Sequence, residues 1–185
     1  MSHVLVPLAQ GCEELEAITI IDLLRRAGFN VITASLDDQP VTASRGTVLI
    51  ADTTMEAAMT QEFDMIVLPG GLPGADHLRD DARVQQKLQQ MSAQDRYVAA
   101  ICAAPKALAS AGLLEGKKVT SFPGALDGIS VQGMQYQETP VVIDGKLVTS
   151  RGPGTAMDFA LTLIELLGGK EKRSSVETPL QRPAA

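Results

Sequence analysis

Apolar runs of strand length, alternating with helix-patterned segments, constrain this chain more than any other feature. The runs fall at residues 4–8, 31–34, 48–50, 65–68, 98–101 and 147–149. Several are continuous where a half-solvated strand would alternate, the pattern of buried, mainly parallel strands covered on both faces. Helical spacing predicts helices over 13–27 before Gly28, 76–91, 103–111 before Gly112, and 154–167 before Gly168. Strands alternating with helices indicate an α/β fold, a doubly wound, mainly parallel sheet with helices on both faces. The stretch 119–145 breaks the rhythm with Phe122-Pro123, Gly128, Gly133, Thr139-Pro140 and Asp144-Gly145, and reads as short strands with a hairpin. The expected organisation is a single domain over 1–169 and a polar C-terminal tail over 170–185, loosely held, with Pro179, Pro183 and Leu180 as its candidate anchor.

Composition fits that architecture. Of 185 residues 45% are hydrophobic but only 3% aromatic, with no Trp, so the core is built from Ala, Val, Ile, Leu and Met. A net charge of −6, with no basic run beyond Lys170 to Arg173, leaves no footprint for nucleic acid. There is no basic leader ahead of the first strand and no apolar stretch of about 18 residues, so neither signal peptide nor membrane span is expected. Two cysteines, Cys12 and Cys102, without a CxxC or His-rich spacing, make neither a disulfide framework nor a metal site. Free thiols point to a reducing cytoplasm.

In an open parallel sheet, ligands bind outside the carboxyl ends of the strands, so the residues after each apolar run carry the information. After the fifth run comes Cys102-Ala103-Ala104-Pro105. Ala100 and Ala104 flank Cys102 as small residues flank a nucleophile at a sharp strand-to-helix turn. Pro105 suits a first helical turn, so the next helix would aim unpaired N–H groups at Cys102 and favour a thiolate. A small buried hydrophobe is the alternative reading of a free cysteine. Gly70-Gly71 after the fourth run favours the reactive reading, because a backbone without Cβ can approach a ligand, and its N–H can join that of Ala103 as an oxyanion hole.

Glu13 and Glu14 are explained by the dipole of the first helix. Glu16 shares a face with Ala17, Ile20 and Leu24 and so points toward the core. Burial raises a carboxyl pKa, and a protonated Glu16 can donate to a thiolate or shuttle a proton, although an apolar-face Glu can also snorkel or cap. Only His3 and His77 are available as imidazoles. His77 is the one that a Cys–His pair could use, and a solvated helix start is its simpler reading.

Gly11-Cys12-Glu13-Glu14-Leu15-Glu16, Leu68-Pro69-Gly70-Gly71, Ala99-Ala100-Ile101-Cys102-Ala103-Ala104-Pro105 and Ser150-Arg151-Gly152-Pro153-Gly154-Thr155 together resemble the ThiJ/PfpI superfamily, within it the Parkinson-linked deglycase branch. The resemblance implies a flavodoxin-like homodimer that needs no cofactor. It implies Cys102 as nucleophile and oxidation-sensitive centre, Glu16 as its protonated partner, and the Gly71 and Ala103 N–H groups as the oxyanion hole. Arg45 and Arg26 match positions that bind anions near the dimer seam. The implied activities are glyoxalase III conversion of methylglyoxal to lactate, removal of glyoxal adducts from proteins and nucleotides, and oxidative-stress chaperoning, so the expected partner is a small α-oxoaldehyde or glycated substrate. A redox-responsive chaperone or sensor acting through Cys102 is the competing reading. A Cys-dependent peptidase or amidase is disfavoured, since those branches place His directly after the cysteine and this chain has Ala103. Cys12 lies outside the motif, as a resolving thiol or an inert one.

Overall fold

The computed structural model describes residues 1–182. The chain runs β1 (His3–Leu8), α1 (Glu14–Arg26), β2 (Asn30–Ser35), β3 (Val41–Thr42), β4 (Val48–Leu49), β5 (Thr53–Thr54), α2 (Met55–Ala58), β6 (Met65–Leu68), α3 (Gly74–Asp80), α4 (Ala82–Ala93), β7 (Tyr97–Ile101), α5 (Pro105–Ser110), β8 (Lys118–Val119), β9 (Gln135–Tyr136), β10 (Val141–Asp144), β11 (Leu147–Ser150) and α6 (Ala156–Glu177). Seven strands form one sheet in the order β10-β11-β7-β6-β1-β2-β5, parallel except for the β10-β11 hairpin. The expected doubly wound, mainly parallel sheet is present, and the hairpin turns at Gly145 as the Asp144-Gly145 signal requires.

Side chains alternate between two cores, one on each face. Val4, Val6, Met65, Val67, Ala99 and Ile101 pack with Ile20 and Leu24 of α1 and Phe159 and Ile164 of α6. Leu5, Ile66, Leu68, Val98 and Ala100 pack with Leu78, Leu88 and Leu108 of α3, α4 and α5. Because both faces are covered, successive strand residues are all apolar, which is why the sequence runs are continuous. No helix among the described residues is long and apolar enough to cross a membrane.

Three expectations are corrected. The run 48–50 is not a sheet strand: β4 pairs antiparallel with β3 in a separate hairpin, with Val48 and Ile50 exposed, and the strand beside β2 is β5. Val48 and Ile50 face outward while Leu49 packs on the α1/α6 core, an alternation that a strand-length apolar run does not reveal. The single helix predicted over 76–91 is two, broken at Asp81, whose backbone is extended (φ −78°, ψ 117°). The Asp81 carboxylate accepts the N–H groups of Arg83 (2.9 Å) and Val84 (3.2 Å), restarting the helix as an N-cap. The tail is not loosely held. α6 bends at Gly169 (φ 84°) and continues to Glu177, followed by a 3-10 turn at Thr178–Leu180.

Val176 is buried and Leu180 packs on the α1/α6 core. Lys172 donates to the Ala27 carbonyl (3.1 Å), Arg173 pairs with Glu165 and Glu177, and Arg182 pairs with Asp158 and Glu177. The polar composition is thus spent on an ion-pair seam along one helix edge. The last part of the expected tail, 183–185 with Pro183, lies outside the described residues.

Replacing Asp81 with Ala removes both capping bonds and leaves two N–H groups without an acceptor. The urea midpoint should fall by the equivalent of about 1 to 2 kcal/mol. An unchanged midpoint would mean that Asp81 does not hold the α3/α4 break.

Candidate active site

β1 has β2 on one side and β6 on the other, so the strand order reverses there, and the crevice outside the carboxyl ends of β1, β6 and β7 is the switch point of the sheet. Three loops meet in it: Ala9 to Glu13 after β1, Pro69 to Pro73 after β6, and Cys102 after β7. Their backbones are stitched together by Glu13 N–H to the Gly70 carbonyl (2.9 Å) and Gly74 N–H to the Gly11 carbonyl (3.3 Å).

Glycine is required at two of these positions for space. A Cβ on Gly70 would stand 2.6 Å from Cys102 Cβ and 2.8 Å from Glu16 Oε2. Gly71, at φ 89°, lies so tightly against Gly11, Cys12 and Glu13 that a Cβ would overlap their backbones.

Cys102 has a left-handed backbone (φ 64°), the strained turn of a nucleophile elbow, on the order of 1 kcal/mol unfavourable for a residue with a Cβ. Two bonds hold it there: its N–H donates to the Ser150 carbonyl (2.9 Å), and its carbonyl accepts from Phe122 N–H (2.8 Å). The residue is 8% exposed. The N–H groups of Gly71 and Ala103 lie near enough to its sulfur to pull the thiol pKa down. α5 is shorter than predicted, starting at Pro105 and spanning six residues, so these two direct donors matter more than its dipole.

Glu16 is fully buried, as the helix-face argument requires, with Ala17, Ile20 and Leu24. Its Oε2 accepts the Gly70 N–H at 2.8 Å, while Oε1 is buried without a partner. Burial raises its pKa to about 7, opposed by the Gly70 N–H and the Cys102 thiol. Burial also pushes the Cys102 thiol up, to about 12 beside an ionised Glu16, against the pull of the two N–H donors.

The thiolate favoured by the sequence reading is corrected: burial and the neighbouring Glu16 carboxylate raise the Cys102 thiol instead of lowering it. Two acids in contact titrate as a pair. Glu16, with a pKa of about 7, is partly protonated at neutral pH, beside a thiol whose ionisation the carboxylate form opposes.

The other candidates fall around this centre. Cys12 is fully buried, and burial with Glu14 nearby raises its thiol to about 11, which fits an inert thiol better than a resolving one. His77 is exposed and its Nδ1 donates to the Gln10 carbonyl (3.0 Å), a tie between α3 and the β1 loop. Arg45 stands at the crevice edge, its N–H on the Glu14 carboxylate (3.0 Å). Arg26 lies at the far end of α1, about 15 Å from Glu16 at the helical rise, paired with Asp22 at 2.6 Å.

Sequence reasoning missed how Glu14 and Ser44 fasten the 43–47 loop. Partial burial alone would raise the Glu14 pKa. The N–H groups of Glu14 itself, Arg45 and Thr47 and the Ser44 hydroxyl hold it down at about 2. It also missed the Phe122 and Ser150 backbone contacts to Cys102, which carry no sequence signal beyond their turn residues.

Residues 2–166 match the DJ-1/PfpI family. The chain is 44% identical over 179 residues to "Protein DJ-1 homolog A" of Arabidopsis thaliana, covering 96% of this chain and 46% of that one, so it spans about half the length of that relative. It is 33% identical over 171 residues to "Glutathione-independent glyoxalase DJR-1.2" of Caenorhabditis elegans, covering 92% and 91% of the two chains. The structure is similar to "Toxoplasma gondii DJ-1, oxidized" with a TM-score of 0.94, 40% identity and full coverage of both chains. The flavodoxin-like fold implied by the sequence motifs is the fold of these neighbours. With the family matched over most of its length and relatives above 30% identity across nine-tenths of it, the chain belongs to the DJ-1/PfpI family.

Proposed function

We propose that this protein is a cofactor-independent, cysteine-dependent glyoxalase of the deglycase type, acting on α-oxoaldehydes such as methylglyoxal and on glyoxal adducts. The observation that carries this is the convergence of the Cys102 sulfur, the buried Glu16 carboxyl and the Gly71 and Ala103 N–H groups in the switch-point crevice. The worm relative named as a glutathione-independent glyoxalase supports the same chemistry.

The Cys102 thiolate adds to the aldehyde carbon, and Glu16 supplies the proton that makes the hemithioacetal hydroxyl. Glu16, now a carboxylate, takes the proton from that carbon to form an enediolate, the hydroxyl proton passes from the first oxygen to the second, and Glu16 returns its proton to the neighbouring carbon. The product is a 2-hydroxy thioester, which water hydrolyses to the 2-hydroxy acid and the free thiol. One carbon is oxidised and its neighbour reduced, so no external electron acceptor is needed. The developing oxyanion sits beside the sulfur, where the Gly71 and Ala103 donors point. Two free thiols suit a reducing compartment such as the cytoplasm.

A second reading, a sensor that responds through oxidation of Cys102, is favoured by the same donors, which would hold a sulfinate oxygen. It predicts aldehyde turnover no faster than that of buffer thiols.

The proposed assembly is a homodimer. Leu15 and Ile18 of α1 and Val48 and Ile50 of the β3-β4 hairpin expose apolar side chains, and Glu14 ties the hairpin loop to α1. A two-fold axis pairing α1 antiparallel with its copy brings the Arg26 end of one helix beside the Arg45 end of the other. That would restore the anion role assigned to both arginines.

Three outcomes are expected. Lactate formation from methylglyoxal should vanish in Cys102→Ala and fall on the order of 100-fold in Glu16→Gln, with Cys102 of the Gln variant still alkylatable. Wild-type turnover by the Gln variant would remove Glu16 as proton carrier. Iodoacetamide alkylation of Cys102 should rise with pH through about 7, where the pair loses its first proton. In Glu16→Leu the midpoint should move above the ordinary thiol value, because burial remains and the proton donor is gone. His77→Ala should leave the profile unchanged, and a changed one would restore a Cys–His pair. Light scattering at micromolar concentration should give a dimer, and Ile18→Arg a monomer. A wild-type monomer would remove the two-fold interface.

A further inference from the structure

Phe122 stands apart from the other phenylalanines. Phe29, Phe63 and Phe159 are 9%, 3% and 0% exposed, whereas Phe122 is 49% exposed. In a chain with only 3% aromatic residues, leaving one ring in water forgoes burial worth about 25 cal/mol per Å². The ring is not on a mobile tip. Its N–H donates to the Cys102 carbonyl (2.8 Å), and its own carbonyl accepts from Ala125 N–H (2.9 Å) and the Ser121 hydroxyl (3.0 Å).

The ring lies against Gly152, where a Cβ would stand 3.3 Å from Cδ2. Gly152 is two residues beyond Ser150, which holds the Cys102 N–H. Phe122 therefore bridges the two segments that fix the nucleophile. Beside it opens a cavity of about 420 Å³ lined by the apolar Pro123, Leu126, Met134 and Tyr136 together with the charged Asp127, Glu138 and Arg151. The Tyr136 ring is 41% exposed and is pinned through its hydroxyl to the Ser121 carbonyl (3.1 Å).

We infer that Phe122 is a specificity-determining residue. With the Tyr136 cavity it receives the substituent on the ketone carbon of the α-oxoaldehyde, favouring aryl and bulky aliphatic 2-oxoaldehydes over glyoxal, which has no substituent. The inference rests on the aldehyde reading above. A fixed ring loses little entropy on binding, and a stacked or edge-on aryl partner gains beyond simple area burial.

The test compares kcat/KM for phenylglyoxal, methylglyoxal and glyoxal in wild type, Phe122→Ala and Phe122→Leu. The ratio of phenylglyoxal to glyoxal should fall about 10-fold in the Ala variant, the discrimination expected of one apolar contact surface, and less in the Leu variant. In parallel, Cys102 is alkylated with N-phenyliodoacetamide and with iodoacetamide, a comparison that needs no turnover. The phenyl reagent's advantage should shrink in Phe122→Ala. If no aldehyde is turned over, the glyoxalase reading fails, and the alkylation ratio alone decides the role of Phe122. Unchanged ratios in Phe122→Ala would overturn the inference. Unchanged ratios with a weakened dimer by light scattering would overturn it too, assigning the ring to the subunit interface.

Discussion

The site depends on one hydrogen bond inside the protein, from the Gly70 N–H to Glu16 Oε2. A carboxyl taken fully out of water is unfavourable in its charged form, and this one has a donor for only one of its two oxygens. Raising its pKa from 4.5 to about 7 corresponds to roughly 3 kcal/mol against ionisation in the folded state. Since the native state binds the extra proton, the penalty is absent below the unfolded value and grows as pH rises toward 7. An apolar residue on that helix face would spare the fold this cost. What the carboxyl brings is a group near Cys102 that is partly protonated at neutral pH.

That contact sets the geometry around it. For Glu16 of α1 to approach Cys102 beyond β7, the loop after β6 must pass between them without a side chain, and Gly70 is that passage, while Gly71 lets the same loop pack on the β1 loop. The left-handed turn at Cys102 completes the approach, with its strain borne by bonds to Ser150 and Phe122 on neighbouring segments. Small residues in β7, Ala99 and Ala100, keep both helical layers close to the strand that leads into Cys102.

Much of this was legible in the sequence because it is imposed locally. Continuous apolar runs announce a sheet covered on both faces, Ala100-x-Cys102-x-Ala104 announces a tight turn, and the helical position of Glu16 puts it with Ile20 and Leu24. What was not legible depends on contacts between distant segments. Val48 and Ile50 look like a buried strand because pattern does not say which neighbour covers it. The polar stretch after Gly169 looks loose because its ion pairs reach back to Asp158 and Glu165. The break at Asp81 had a signal, an Asp two residues before Arg83, but the helical spacing on both sides masked it.

The two cysteines show why a thiol's own pKa is a poor guide here. Burial raises both, Cys12 to about 11 and Cys102 to about 12, so that criterion alone would rank neither as reactive. They differ in what surrounds the sulfur. Cys12 is fully enclosed, with carboxylates near it that only oppose its ionisation. Cys102 has the Gly71 and Ala103 N–H groups pulling its pKa down and a neighbouring carboxyl whose own pKa of about 7 leaves it partly protonated at neutral pH. On the proposed reading, reactivity is a property of the pair, and of the glycine backbone at Gly70 that lets its two members approach.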